Sequence, residues 1–154
     1  MAPPRPLLRF DQVRQLDTFD TTSDEEQFAR GRYFNAACLA SDSVGDFIRI
    51  TGNKVAGVYQ VSKVDILNAT TMPCIGIITS KSASTSCFVQ TFGIIAAVGL
   101  VAGTRYWVGS DSQIAAVHPT PGPGEIVVAQ VVGVALDSTE LLLRPEYQAH
   151  KLRG

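Results

Sequence analysis

From Asp46 onward the apolar residues of this chain come in short runs, each closed by glycine, proline, asparagine or serine. That spacing predicts strands joined by turns. Asp46 to Thr51 carries Phe47, Ile48 and Ile50, and a Gly52-Asn53 turn signal follows it. Residues 56 to 64 alternate, with Val58, Gln60, Ser62 and Val64 on one side and Tyr59, Val61 and Lys63 on the other. Ile75 to Thr79 and Ser84 to Thr91 are two further strand candidates.

The least polar stretch, FGIIAAVGLVAGTRYWVG at 92–109, tests the strand reading. It is uncharged from Phe92 to Gly103, and Arg105 ends it. A membrane-crossing helix needs about 20 apolar residues. Gly93, Gly99 and Gly103 each cost a helix about 1 kcal/mol relative to alanine. The stretch therefore divides into a strand at 93–98, a turn at 99–104 and a strand at 105–108. Arg105 to Gly109 and Gln113 to Val117 form a predicted hairpin around Ser110-Asp111-Ser112. IVVAQVVGVAL at 126–136 is the longest β-run, with Gly133 as a bulge position, and Glu140 to Arg144 closes the series. PTPGPG at 119–124 reads as a rigid exposed loop. Together these predict an all-β fold, a barrel or sandwich of about eight short strands.

The first 37 residues follow neither period. They hold five Lys/Arg, six Asp/Glu and three prolines. Large apolar residues are nevertheless spaced through them, from Leu7, Leu8 and Phe10 to Phe28, Tyr33 and Phe34. Linkers rarely carry so many aromatics. Ser23 ahead of Asp24, Glu25 and Glu26 can cap a short helix. The rest reads as an extended arm that needs a surface to lie on. The expected organisation is an arm at 1–37, a β-core at 38–147 and a C-terminal tail at 148–154.

Composition narrows the function. A chain of 154 residues with 45% hydrophobic content can build one domain with a real core. Its net charge of -1 supplies no basic field to hold nucleic acid. The proline-rich start with its early Asp11 lacks the apolar centre of a secretory signal. Cys38, Cys74 and Cys87 cannot all pair within one chain and read as buried free thiols in a reducing compartment. The Asn68-Ala69-Thr70 sequon is then without consequence.

Little points to chemistry. Cys87, His118 and Asp111 are the residue types of thiol catalysis, but TSCFVQ reads as the interior of a strand. The cysteines and histidines lack metal-ligand spacing. Gly122 to Glu125 lacks the lysine and hydroxyl of a phosphate loop. No catalytic residue, cofactor site or metal site is expected. Tyr106 and Trp107 are adjacent and face opposite sides of a strand, so one belongs to the core and the other is a possible interface anchor.

Three pieces carry a resemblance: DILNATTMPCIGIITSKSASTSCFVQTFG, GLVAGTRYWVGSDSQIA and AQVVGVALDSTELLLRP. Their order of short strands, a G-L-x-x-G-x-x-Y-x-V-G hairpin, a proline-rich loop and a Q-x-V-G-x-A strand resembles small structural proteins of tailed bacteriophages. These are capsid decoration (cement) proteins, head fibres and the β-domains of neck and tail fibres. The resemblance covers about half of the chain and includes no catalytic motif. It implies a non-enzymatic virion component, made in the host cytoplasm and placed on the outer capsid surface. The implied partners are the major capsid protein and further copies of the chain in a homotrimer, with no nucleic acid and no membrane. Phe10, Phe19, Phe28, Tyr33 and Phe34 are the expected capsid-binding residues of the arm, and Tyr106 and Trp107 a possible interface. The alternatives are a neck or tail-fibre module, and a stand-alone ligand-binding or thiol-enzyme β-domain built on Cys87 or a pocket near Trp107.

Overall fold

A computed structural model describes residues 32–154. Within them the chain is all-β, with eleven strands and one short 3-10 turn at Ala69–Thr71. The strands are β1 (Arg32–Ala37), β2 (Phe47–Val55), β3 (Val58–Lys63), β4 (Gly76–Ala83), β5 (Ser86–Ala96) and β6 (Arg105–Val108). Then come β7 (Ile114–Ala115), β8 (Ile126–Ala129), β9 (Val131–Ala135), β10 (Glu140–Leu143) and β11 (His150–Arg153).

Five strands close into a barrel. The order is β1-β3-β2-β4-β5, and β1 pairs back onto β5. The β1–β3 pairing is parallel and the other four are antiparallel. The interior is filled by Ala36, Cys38, Ile48, Val61, Ile78, Cys87 and Val89, with Phe34 and Ile75 packed beside them. These residues sit at alternate positions of their strands, as a pleated surface buried on one face requires.

The second half grows from the same β5. Its residues 86–92 face β1, whereas Gly93–Ala96 pair with Leu143–Glu140 of β10. The handover falls at Gly93, whose φ of 108° is open to glycine and costly for other residues. From there the sheet continues β10-β9-β6-β7. A second core lies on its inner face and reaches the end of the barrel through Phe47, Val64 and Ile77; Ile95, Tyr106, Val108, Val132, Leu141 and Leu143 pack there. The β8–β11 ribbon is a separate two-stranded sheet.

Several sequence expectations change. The described residues hold more strands than the eight expected: one apolar run divides, two others merge, and β1 and β11 form in segments expected to be arm and tail. Residues 126–136 break at Gln130, which is buried and clasps a neighbouring loop. Its Nε2 donates to the carbonyls of Cys74 and Glu146 (3.0 and 2.7 Å), and its Oε1 accepts from the Cys74 amide at 2.8 Å. The segments 84–91 and 93–98 fuse into β5. Gly52-Asn53 is a bulged part of β2, and the chain turns instead at Ala56-Gly57, where both residues have positive φ (50° and 79°) as the tight hairpin turn demands. The 105–117 hairpin forms as expected, with Trp107 opposite Ala115 and Val108 opposite Ile114.

The domain boundaries also move. Arg32–Ala37, expected in the arm, is the strand that closes the barrel, because Phe34 and Ala36 supply inward side chains. His150–Arg153, expected in the tail, pairs with Ala129–Ile126. The remainder of the arm lies outside the described residues.

Candidate functional site

The thiols are distributed between the two cores: Cys74 packs in the sheet-side core, and Cys38 and Cys87 inside the barrel. All three are free and buried. Burial pushes the Cys74 thiol up to about 12, against the weaker opposing pull of its backbone and Gln130 hydrogen bonds. Cys87 is likewise pushed up to about 12, first by burial, then by Cys38 and the Asp42 charge, with Lys81 opposing. A reactive cysteine has the opposite shift. His118, the sequence candidate for its base, lies on the loop after β7; its Nδ1 is 2.8 Å from the Pro119 carbonyl, and its ring meets the Trp107 ring edge-on at 4.4 Å. The Cys87-His118-Asp111 set is therefore spread between the barrel interior and an exposed loop.

The buried acids serve structure. Asp42 accepts from the Leu39 and Lys63 amides and from Ser62 Oγ (2.8, 3.2 and 3.2 Å). Asp46 accepts from the Ser43 amide and Gln113 Nε2 (2.8 and 2.9 Å). Such bonding offsets the cost of burying a carboxylate. Among the described residues no three His, Cys, Asp or Glu side chains gather as metal ligands would. No helix among them is long and apolar enough to cross a membrane.

The expected interface residues have separate fates. Phe10, Phe19 and Phe28 lie outside the described residues. Tyr33 is exposed on the barrel wall, with its ring 5.7 Å from that of Phe88. Phe34 is half-buried, packed on the barrel core and against the Tyr59 ring at 4.8 Å, so its own domain already occupies it. Tyr106 is core, and its hydroxyl accepts from the Val101 amide at 2.9 Å. Trp107 is half-buried under His118. Of the pair, Tyr106 is the inward residue and Trp107 the outward one.

A wide surface groove was not singled out from the sequence. On the outer face of the second sheet, Ile94, Leu142, Val134 and Arg105 stand side by side across β5, β10, β9 and β6. This row borders a groove of about 990 Å³ lined also by Thr91, Phe92, Arg144, Pro145, Glu146 and Tyr147. Beyond Ile94 a shallower depression of about 310 Å³ runs over Gln90, Phe88 and Tyr33 on the barrel wall. The signal was present in QVVGVAL and ELLL: a strand apolar on both faces needs cover on both. Val98 and Val101 on the β5–β6 loop and Val117 after β7 are also exposed apolar residues.

No protein-family model matches the chain, and a search of curated proteins finds no match.

Proposed function

We propose that this chain is a non-enzymatic structural protein of a tailed-bacteriophage virion, and most specifically a capsid decoration protein that binds the major capsid protein on the outside of the shell. The observation that carries the reading is the pairing of a rigid, closed β-core with apolar surface left on its outer sheet face. Monomeric proteins rarely leave such patches without a partner. The thiols, the strongest candidate nucleophiles of the sequence, are all buried, and burial pushes those of Cys74 and Cys87 up, away from the thiolate form. A shell under internal pressure needs subunit boundaries bridged. A core supplies stiffness and 31 preceding residues supply reach, up to about 105 Å if extended. Exposed apolar residues such as Val98, Val101 and Val117 offer contacts for self-association, in this reading a homotrimer, whose three arms multiply weak shell contacts.

Co-sedimentation with undecorated capsids tests the reading. The full chain should saturate the shell, and a chain lacking residues 1–31 should bind at least ten-fold more weakly. Electron microscopy of the decorated particle then locates the copies. Absence of binding by the full chain, or density at the neck or tail instead of the shell, rejects the decoration role.

A further inference from the structure

The β8–β11 ribbon leaves one edge of backbone open. The Gly154 amide donates to the Glu125 carbonyl at 2.9 Å. The same register sets Arg153 opposite Ile126, Leu152 opposite Val127, Lys151 opposite Val128 and His150 opposite Ala129. Antiparallel pairs alternate between those that exchange hydrogen bonds and those that do not. Leu152 and His150 therefore bond inward to β8, while Lys151 and Arg153 turn their N–H and C=O groups outward. The Val128 amide fits this alternation: it donates away from β11, to the Ile66 carbonyl at 2.8 Å. The ribbon has two strands only, and among the described residues no hydrogen bond reaches the outward groups of Lys151 and Arg153. Both residues are exposed.

The side chains define what this edge can accept. Lys151 and Arg153 share one face of β11, and His150 and Leu152 the other. Neither Lys151 nor Arg153 has an ion pair among the described residues. Glu125, the acid across the ribbon from Gly154, accepts instead from the Gly122 amide at 2.9 Å. His150 and Lys151 also border a depression of about 440 Å³, walled by Met72, Pro73, Val128 and Tyr147, with no carboxylate in its lining. A second copy added about a two-fold axis at Leu152 would set Lys151 against Arg153, and like charges directly opposite destabilise a strand pair. Lysine on an edge strand is a common guard against such self-pairing. An acidic strand meets no such barrier. We propose that the β11 edge is a strand-addition site for an extended acidic segment of a partner protein. Its carboxylates lie at alternate positions opposite Lys151 and Arg153, with an apolar side chain between them opposite Leu152. Backbone hydrogen bonds supply the attachment, and the two carboxylates supply the selection. The inference stands whether or not the chain is a virion protein.

The full-length chain carries the test. In the free protein, amide hydrogen exchange should be at least about ten-fold faster at Lys151 and Arg153 than at Leu152. A short blocked peptide alternating glutamate and valine should then slow exchange at Lys151 and Arg153 and shift their amide resonances. A peptide alternating lysine and valine should leave both unchanged. Lys151→Gln with Arg153→Gln keeps both amides and should weaken the glutamate peptide at least about ten-fold. Lys151→Pro also removes an outward N–H that β8 does not use, and should weaken it further than Lys151→Gln alone. The two peptides on the unaltered chain decide the matter even where a variant fails to fold. Slow exchange at Lys151 and Arg153 in the free monomer would show an edge already occupied, and would overturn the assignment. Dimers that protect these amides without peptide would assign the edge to a second copy instead. Absence of binding by the glutamate peptide, or equal binding of the two peptides, would overturn it too.

Discussion

In the barrel half of the core, β1 pairs with both β3 and β5, so each of the five strands has a neighbour on either side. In the sheet half, the outermost strand is β7, two residues long. Closure satisfies backbone groups without a partner; a very short edge strand only limits what can pair there. The outer surfaces differ in the same sense. The barrel wall mixes exposed polar residues, Thr79, Ser80 and Ser82 on β4 and Asn53 and Lys54 on β2, with exposed apolar ones spread over its strands, among them Tyr33, Val55 and Tyr59. The sheet half turns Ile94, Leu142 and Val134 outward in one row. The barrel is closed at the level of its backbone, whereas the sheet half presents one apolar row beside a groove. Function is therefore sought on the sheet half and stability in the barrel.

The largest expected effect separates two truncations only six residues apart. Removing 1–31 cuts no described strand and should leave a folded protein. Removing 1–37 deletes β1, which opens the barrel between β3 and β5 and strips Phe34 and Ala36 from its core. That deletion should abolish cooperative unfolding, as read by circular dichroism during thermal melting. Two equally cooperative melts would mean that β1 is dispensable and the barrel is not the stable half.

Neighbouring leucines on β10 probe the two faces of one sheet. Leu141 is fully buried in the sheet-side core, and Leu141→Ala should cost roughly 2–5 kcal/mol in urea unfolding. Leu142 points into the groove, and Leu142→Ala should cost about 1 kcal/mol or less. Equal losses would show that the groove face is as deeply covered as the core. Gly133→Ala lies between these limits. A Cβ at Gly133 would run into the Leu142 carbonyl oxygen, so β9 and β10 must separate locally, at a cost of roughly 1–3 kcal/mol measurable in the same titration.

The sequence made the β-character, the 105–117 hairpin and the buried thiols legible, because each depends on local pattern. It also led to a barrel or sandwich, and five strands do close into a barrel, but it did not reveal the strand that closes it. Tyr33, Phe34, Asn35 and Ala36 read as irregular because only Phe34 and Ala36 face inward, and their strand is recognisable only once β3 and β5 stand on either side of it. Gln130 misled in the opposite way. A polar residue inside an apolar run looked like one position of a continuous strand, yet its side chain binds Cys74, 56 residues distant, and splits the run. The groove was hidden for the same reason: Ile94, Leu142 and Val134 are brought into one row only when the β9–β10 hairpin pairs with the distant β5. Phe34 packs on the barrel core, and of the adjacent Tyr106 and Trp107, one of which was expected to be core, Tyr106 is the inward one; which of two neighbours faces inward is a property that adjacent aromatics leave ambiguous.

The smallest expected effect compares the two cores through their thiols. Cys74 sits in the sheet-side core and Cys87 in the barrel, and burial pushes both up to about 12. In the unfolded chain a cysteine ionises near ~8.5. Below that value both states hold the proton, and the thiols make stability independent of pH. Above it the unfolded chain releases protons that the folded one keeps, so stability falls as pH rises toward about 12. The slope tends to about 1.4 kcal/mol per pH unit for each such thiol. At pH 9 the loss is still only about 1 kcal/mol per thiol. Urea unfolding at pH 7, 9 and 10 should show this decline. Cys74→Ala and Cys87→Ala should each remove about one thiol's share of the slope, at a pH-independent cost of about 1–3 kcal/mol. If Cys87→Ala alone left the slope unchanged, solvent would already reach the barrel thiol in the folded state, and the barrel would be the looser of the two halves.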